Sequence, residues 1–293
     1  MRNIIKEFIP PIIFKRFRKH GSGVVDKKYS SYQEALKYSD RNAYEEEELI
    51  EVIFKKTKAF LQTLKIKPIA VSETAAFSLL AALNPVIERK AERINVLDFG
   101  GACGAHYFHL RALIDESLKM NWAVVETPTM VKYAKELESD ELTFFDDFKE
   151  ACNKLKNIDL LHTSGTLQCV DNPGKYLDLI LSSDAKWILF NRVGVNKIDR
   201  DVITIHTSKL SWNGIGELPE GHTDRWLKYP FIFSSEKRFL NSLQNKYEIV
   251  AKFSDRSGMY DVKGEDITGY ALLSRLKNNE FVGLSEEHLK FQS

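Results

Sequence analysis

The sequence has few cysteines and no excess of charge of either sign. Cys103, Cys152 and Cys169 are an odd number without metal-motif spacing, so we expect reduced thiols in the cytoplasm rather than disulfides or a zinc framework. The 42 Lys and Arg residues against 41 Asp and Glu residues leave a formal net charge of +1. A nucleic-acid partner is not expected, because such proteins usually carry a basic surplus or stripe.

Long hydrophobic runs, internal repeats and low-complexity segments are also missing, and no stretch has the length of a membrane-spanning helix. The first twenty residues, MRNIIKEFIPPIIFKRFRKH, mix apolar and basic side chains. A signal peptide fits poorly, because Lys6, Glu7 and the two prolines interrupt the apolar part. We expect an arm packed on the domain; weak contact with the inner face of a membrane is the alternative.

The first third of the chain has helical spacing of its apolar residues. Residues 31–64 and 71–90 are predicted to be helical, with Ser72 as an N-cap and Pro85 as a break or kink. The acidic block at 45–48 is predicted to be a solvated helix face. Residues 1–92 are therefore expected to form a helical extension.

From residue 94 onward, short apolar runs alternate with helical stretches, which is typical of βαβ units and a parallel sheet. The predicted strands are 94–98, 122–126, 142–145, 158–163 and 186–191, with helices predicted at 105–118, 128–138, 147–156 and 173–182. A strand at 201–210, a loop-rich stretch at 211–233, a helix at 235–244 and an antiparallel strand pair at 247–253 and 269–276 follow. The predicted domain covers 93–277, with an insertion at 193–233 and a tail at 278–293.

Residues 95–110, NVLDFGGACGAHYFHL, place an aspartate and a glycine turn at the end of a predicted strand. Ligands of open parallel sheets bind beyond such strand ends. The dinucleotide fingerprint needs glycines at i, i+2 and i+5, and the frames starting at Gly100 and Gly101 both fail. Asp98 would also repel a pyrophosphate. S-adenosylmethionine, which carries an amino group and a sulfonium, suits this carboxylate better.

VLDFGGACG resembles motif I of the class I S-adenosylmethionine-dependent methyltransferases. WAVVE, FFDDF and DLLHTSGTLQCVDNP are similar, in order and spacing, to the later motifs of that family. The resemblance implies an α/β, Rossmann-like sheet of seven strands with the last one antiparallel. One departure is Ala102, which stands where many members have the middle glycine of G-x-G-x-G.

The resemblance also implies a cofactor site for S-adenosylmethionine, with Glu126 on the ribose hydroxyls and Asp146 or Asp147 on the adenine amino group. The implied cofactor residues are Asp98, Gly100, Gly101, Gly104, Glu126, Thr127, Asp146 and Ser164. The competing interpretations are structural: a helix cap for Asp98, an exposed strand end for Glu126, and a solvated turn for Asp146 and Asp147.

The proline pair near the N-terminus, LDFGG, the W-x-VVE run, SGTLQ and the YP at 229–230 resemble a narrower subfamily of methyltransferases, often encoded among bacterial surface-polysaccharide genes. This resemblance implies O-methylation of a small polar or glycan-type acceptor. The candidate catalytic residues are His162, His206 and His222, and the candidate acceptor-binding residues are Arg192, Trp212, Arg225 and Tyr229. Core packing is the alternative for each of them.

His106 and His109 share a helix face and could pair on a metal ion, but without a third ligand in the sequence pattern we expect no metal site. Cys103 lies in the glycine turn and could be accessible, but nothing beside it marks a nucleophile. Three other functions remain as alternatives: a degenerate fold that acts as a binding or scaffold protein, a dinucleotide-dependent oxidoreductase, and a membrane-associated adaptor. The oligomeric state is left open.

Overall fold

The computed structural model describes residues 23–24, 27–40, 45–254, 262 and 264–277. The basic segment at 1–20 and the predicted tail at 278–293 lie outside the described residues. In chain order, the strands are β1 Gly23–Val24, β2 Arg93–Phe99, β3 Lys119–Val125, β4 Leu142–Phe145, β5 Leu160–Ser164, β6 Trp187–Asn196, β7 Val202–Lys209, β8 Trp226–Ser235, β9 Tyr247–Ser254 and β10 Ile267–Leu276.

The helices of the described part divide into three of the N-terminal extension and five that follow the glycine turn. They are α1 Tyr32–Leu36, α2 Glu47–Thr63, α3 Glu73–Arg89, α4 Ala105–Leu113, α5 Pro128–Ala134, α6 Phe148–Leu155, α7 Pro173–Leu181 and α8 Glu236–Gln244. Short 3₁₀ helices add Lys135–Leu137, Leu167–Cys169 and Leu210–Trp212. No described helix combines the length and the apolar content needed to cross a bilayer.

Seven strands form the main sheet in the order β4-β3-β2-β5-β6-β10-β9. Neighbouring strands from β4 to β6 run parallel, and β10 runs antiparallel to both β6 and β9. The predicted fold class, a Rossmann-like methyltransferase sheet, is confirmed.

Side chains alternate between the two faces of this sheet, and both faces are buried. Val96 and Trp122 face one apolar cluster, which includes residues of α2 and α3, whereas Leu97 and Ala123 face the other, which includes residues of α6 and α7. The central strands are therefore apolar along most of their length, as expected for a sheet covered on both sides.

A second, smaller sheet is built from the segment after β6. β7 pairs antiparallel with β8, the two residues of β1 pair with β7, and β8 joins the end of β6 through two residue pairs. The prediction of a loop-rich stretch over 211–233 is wrong for its last part, because β8 begins at Trp226. Pro230 lies within β8 opposite Ile205, although proline is uncommon inside strands because it has no backbone N–H to donate.

The helical extension differs from its prediction at two points. The run predicted over 31–64 is interrupted, since α1 ends at Leu36 and α2 begins at Glu47. Pro85 does not end α3, which continues to Arg89. The predicted N-cap is confirmed: the Ser72 side chain accepts a hydrogen bond from the Ala75 amide, at 3.2 Å.

Candidate functional site

The carboxyl ends of the parallel strands meet at one edge of the main sheet, because parallel neighbours point the same way. The glycine turn follows β2, Glu126 follows β3, Asp146 follows β4 and Gly165 follows β5. In β6, Arg192 comes directly after Asn191, which pairs with Ser164 at the end of β5. This edge is where an open α/β sheet binds ligands.

The glycine turn is shaped by the side chains around it. Gly100 has φ +74°, and a Cβ there would lie 2.1 Å from Thr166 Oγ1. A Cβ at Gly101 would lie 2.4 Å from an oxygen of Asp98. Ala102 adopts φ 49°, a left-handed conformation that favours glycine. The departure from the family pattern at Ala102 therefore leaves the turn intact but places an L-residue in an unfavourable region.

Glu126 links the end of β3 to the glycine turn. One carboxylate oxygen accepts the backbone N–H of Ala102 at 2.9 Å, and the other accepts that of Thr127 at 3.0 Å. Burial raises the pKa of Glu126, the two backbone hydrogen bonds oppose the shift, and the charge of Asp98 adds to it. Because each oxygen has two lone pairs, both can still accept one further hydrogen bond.

The two aspartates after β4 have different surroundings. The Asp147 side chain caps α6 by accepting the backbone N–H of Glu150 at 2.9 Å. The Asp146 side chain is exposed and makes no hydrogen bond or ion pair with the described residues. Asp146 is therefore the one of the pair that has both carboxylate oxygens available. Thr127, on the neighbouring strand end, caps α5 with a hydrogen bond from Met130 at 3.4 Å.

Asp98 is completely buried and accepts hydrogen bonds from the chain itself. Trp122 Nε1 donates to one oxygen at 3.2 Å, and His162 Nδ1 lies 2.8 Å from the other. Burial alone would raise the pKa of Asp98, but the charges of His162 and His106 outweigh it and hold that pKa well below its usual range. Asp98 has no exposed surface, so its charge could attract the ammonium group of a ligand but its side chain could not contact it.

His162 is also fully buried, and both of its ring nitrogens have neighbours. Nδ1 faces Asp98, and Nε2 lies 2.9 Å from Ser78 Oγ on α3. A side chain held in this way cannot touch an acceptor molecule. The structure therefore removes His162 from the candidate bases and makes it part of a buried network that joins the sheet to the N-terminal extension.

The sequence pointed to His106 only as a possible metal partner of His109 and did not show its position beside Asp98. Its ring lies 4.5 Å from the ring of His162, and its Nδ1 lies 3.4 Å from Asp98 Oδ2. Burial, the charge of His162 and that of Arg192 lower the pKa of His106, while Asp98 opposes them. In the sequence, the one sign of this contact is that His106 stands eight residues after Asp98, across the glycine turn. That spacing indicates a contact only when the path of the turn is known.

Arg192 is exposed at the same edge and adopts a left-handed conformation, with φ 53°. Its Nε donates to Ser164 Oγ and its Nη2 to Ser164 O, both at 3.0 Å. Within the described part of the chain, no carboxylate forms an ion pair with it. The guanidinium is thus fixed in place with its charge uncompensated and Nη1 free.

The remaining candidate residues, catalytic and acceptor-binding, lie on the insertion, and three of them, His222, Arg225 and Tyr229, make structural contacts. Arg225 donates to both Glu46 and Glu48, so the acidic block is not merely a solvated face, and His222 lies 3.6 Å from Glu48. Tyr229 is buried, and its ring lies 5.1 Å from that of His206. These contacts join the insertion to α2 and stabilise the smaller sheet.

His206 packs between the rings of Tyr229 and Phe231, and burial lowers its pKa to about 4. Trp212 and Trp226 form an edge-to-face pair, with ring centroids 5.5 Å apart, and are 51% and 50% exposed. The predicted acceptor residue Trp212 therefore offers an exposed ring to a ligand, together with Trp226.

Cys103 is not accessible, contrary to the expectation from its place in the glycine turn. Its side chain is completely buried, and its Sγ lies 3.5 Å from Met130 Sδ. Burial raises the pKa of the thiol to about 12, which makes it a poor nucleophile. All three cysteines are free thiols.

No protein-family model matches the sequence, and no curated protein matches it either. Solved structures do match its fold. One is an S-adenosylmethionine-dependent methyltransferase from Clostridium acetobutylicum, with 12% identity, a TM-score of 0.40, and coverage of 68% of this chain and 91% of that one.

Two further matches have comparable values. An amino pentose methyltransferase from Micromonospora echinaspora, solved with S-adenosylmethionine bound, has 8% identity, a TM-score of 0.41, and coverage of 70% of this chain and 92% of that one. Mitomycin 7-O-methyltransferase has 15% identity, a TM-score of 0.38, and coverage of 69% and 54%. The likeness concerns the fold; the residues of the strand edge carry the functional conclusion.

Proposed function

We propose that this protein is an S-adenosylmethionine-dependent methyltransferase. The observation that carries the proposal is the position of Glu126, whose carboxylate holds the glycine turn through Ala102 and retains acceptor capacity at the strand edge. A ribose diol needs such an acceptor. Asp146, on the next strand end, has both oxygens available for the adenine amino group.

The polar side chains of this edge fit the chemical groups of the cofactor. Glu126 and Asp146 would hold the nucleoside, and the free Nη1 of Arg192 matches the methionine carboxylate or a negatively charged group of the acceptor. When bound, S-adenosylmethionine supplies an electrophilic methyl group on its sulfonium. Since an in-line displacement depends on alignment, the role of these residues is to position the two reactants.

Among the three histidines proposed as bases, the structure leaves none with a demonstrated route to an acceptor. His162 is fully buried, and His206 and His222 make the packing and polar contacts described above. The proposed reaction therefore depends on positioning; of the two histidines at this edge, His162 is buried and His106 has a side chain that is 22% exposed.

For the acceptor, we propose a small polar or glycan-type molecule that is methylated on oxygen. Supporting this are the exposed rings of Trp212 and Trp226, which present flat apolar faces of the kind on which sugar rings stack. Polar groups flank the pair: Lys209 Nζ lies 5.6 Å from the Trp226 ring centroid and 3.4 Å from Asp224. The N-terminal extension and the insertion together would form the acceptor side of the enzyme.

Calorimetric titration with S-adenosylhomocysteine, NAD and NADP tests the cofactor assignment. We expect binding of S-adenosylhomocysteine alone; binding of NAD or NADP instead would indicate an oxidoreductase and contradict the proposal. Turnover is then measured as S-adenosylhomocysteine formed with a panel of sugars and sugar nucleotides. Cofactor binding without turnover on any of them would favour the scaffold alternative.

A further inference from the structure

Three side chains with metal-binding chemistry converge beneath the glycine turn. One donor atom each from Asp98, His106 and His162 lies within 4.8 Å of the other two. We propose that this cluster is a site for a divalent transition-metal ion, with Zn²⁺ the best match. The proposal does not depend on methyltransferase activity.

His162 is held so that one of its ring nitrogens faces the cluster. Ser78 Oγ donates to the Thr74 carbonyl at 2.8 Å and lies 2.9 Å from His162 Nε2, so a lone pair of this hydroxyl oxygen can accept an N–H from the imidazole. In the tautomer with its hydrogen on Nε2, the lone pair of Nδ1 points toward the Asp98 carboxylate, 2.8 Å away.

A hydrogen bond from His162 to Asp98 would account for these two residues and would leave His106 without a role. A metal ion would use His106 as well, whose Nδ1 is buried, makes no hydrogen bond and lies 3.4 Å from Asp98 Oδ2. The unsatisfied nitrogen is the observation that favours the metal.

The polar groups that surround the three side chains also match those found around metal ligands. A metal-bound histidine usually donates its other ring N–H to a polar partner, as His162 would to Ser78. Trp122 Nε1 donates to Asp98 Oδ2 and would orient the carboxylate. Two imidazoles and one carboxylate suit Zn²⁺ or Fe²⁺ and disfavour Mg²⁺ and Ca²⁺, which prefer oxygen ligands.

The test uses the full-length chain, stripped with a chelator and titrated with Zn²⁺ by calorimetry and with Co²⁺ by visible absorption. We expect one equivalent of metal and the d–d bands of a four- or five-coordinate Co²⁺ site. Trp122 fluorescence should fall as Co²⁺ binds, and the quenching should be lost in a Trp122→Phe variant. His106→Gln should abolish one-to-one binding, and Ser78→Ala should weaken it about 10- to 100-fold.

His222→Gln is the matched control, since this histidine lies on the insertion outside the cluster, and it should bind metal as the wild type does. Equal binding by wild type and His106→Gln would overturn the proposal, and so would the absence of stoichiometric binding. Nitrogen NMR supplies a second readout: a hydrogen on Nδ1 of His162 in the metal-treated protein would show that a hydrogen bond, not a metal, joins His162 to Asp98.

Discussion

Glu126 uses both carboxylate oxygens to hold backbone amides at the strand edge, so a bound diol would have to share those oxygens. Glu126→Ala should weaken S-adenosylhomocysteine binding about ten- to a hundredfold, because a charge-assisted hydrogen bond contributes roughly 1.5–3 kcal/mol. Glu126→Gln should lose less, since its amide oxygen still accepts one bond. Titration calorimetry measures both.

Glu136→Gln, at an exposed position beyond α5, is the control and should bind with the affinity of the wild type. Circular dichroism should show an intact fold in all three variants. Unchanged affinity in Glu126→Ala would contradict the proposed cofactor site, whatever the acceptor.

Ala102 holds a left-handed conformation within the glycine turn. Such a conformation costs an L-residue about 1–2 kcal/mol, whereas glycine loses about 0.5–1 kcal/mol more backbone entropy on folding. Ala102→Gly should therefore leave the free energy of unfolding unchanged or raise it by up to about 1 kcal/mol, as measured by urea denaturation. A clear loss of stability would show that the methyl group of Ala102 makes packing contacts worth more than its strain.

His206 couples folding to pH, because burial lowers its pKa to about 4 in the folded chain. Between about pH 6.5 and pH 4, only the unfolded chain binds the proton, so the free energy of unfolding falls as the pH falls. From about pH 7.5 to pH 5 this group should cost roughly 2 kcal/mol of stability.

His206→Phe should remove this loss, because Phe fits between Tyr229 and Phe231 and does not titrate. Denaturant unfolding of both proteins at the two pH values measures the difference. If wild type and variant lose stability equally on acidification, the proton is not excluded from His206 in the folded state.

The sequence predicted the strand ends well and the contacts of their side chains poorly. Asp98 and Glu126 could be located because each ends an apolar run, but the partners of Asp98 come from α4, β3 and β5. No pattern along the chain shows that His106 and His162 meet there. Such contacts depend on the path of the glycine turn and on strand order.

Helix α2 holds the insertion through a buried lysine. Lys56 is 1% exposed and donates to the carbonyls of Ser211 and Asn213, at 2.8 Å and 2.6 Å. Lys56→Met keeps the apolar stem but leaves both carbonyls without this donor, which should lower the free energy of unfolding by about 1.5–3 kcal/mol. Thermal or urea unfolding measures the loss.

Lys58, on the same helix, offers a matched control, since it is exposed and pairs with Glu136 outside the insertion. Lys58→Met should change stability by less than about 0.5 kcal/mol. Equal losses in the two variants would indicate a general effect of charge on α2 rather than the anchoring of the insertion.

Among the secondary-structure elements, the sequence predicted most of those in the main sheet but did not predict β8 of the insertion. Apolar runs such as LTFF gave β4 its observed bounds. β8 was missed for two reasons. Pro230 has no backbone N–H and so interrupts the hydrogen-bonding pattern of the strand. The alternating residues Leu227, Tyr229, Phe231 and Phe233 also stand among polar and aromatic neighbours, so their alternation is hard to recognise. The acidic block was misjudged because its partner, Arg225, is distant in sequence.

Across the whole molecule, the last described strand lies between two earlier ones. β10 pairs with β6 on one side and with β9 on the other, so it supplies the only strand contact that β9 has among the described residues. A chain truncated after Ser254 should therefore lose cooperative unfolding and expose the edge of β6. Calorimetry of the truncated chain should show no sharp transition; a sharp one would mean that the rest of the sheet folds alone.

This position of β10 also constrains how the protein is made. During translation, residues 247–254 leave the ribosome before the strand that must separate them from β6 exists. The nascent chain then carries two unpaired strand edges, of β6 and β9, and unpaired edges can pair with other chains. Completion of the sheet must wait for β10, so the protein is vulnerable to misassembly in the interval between the synthesis of β9 and that of β10.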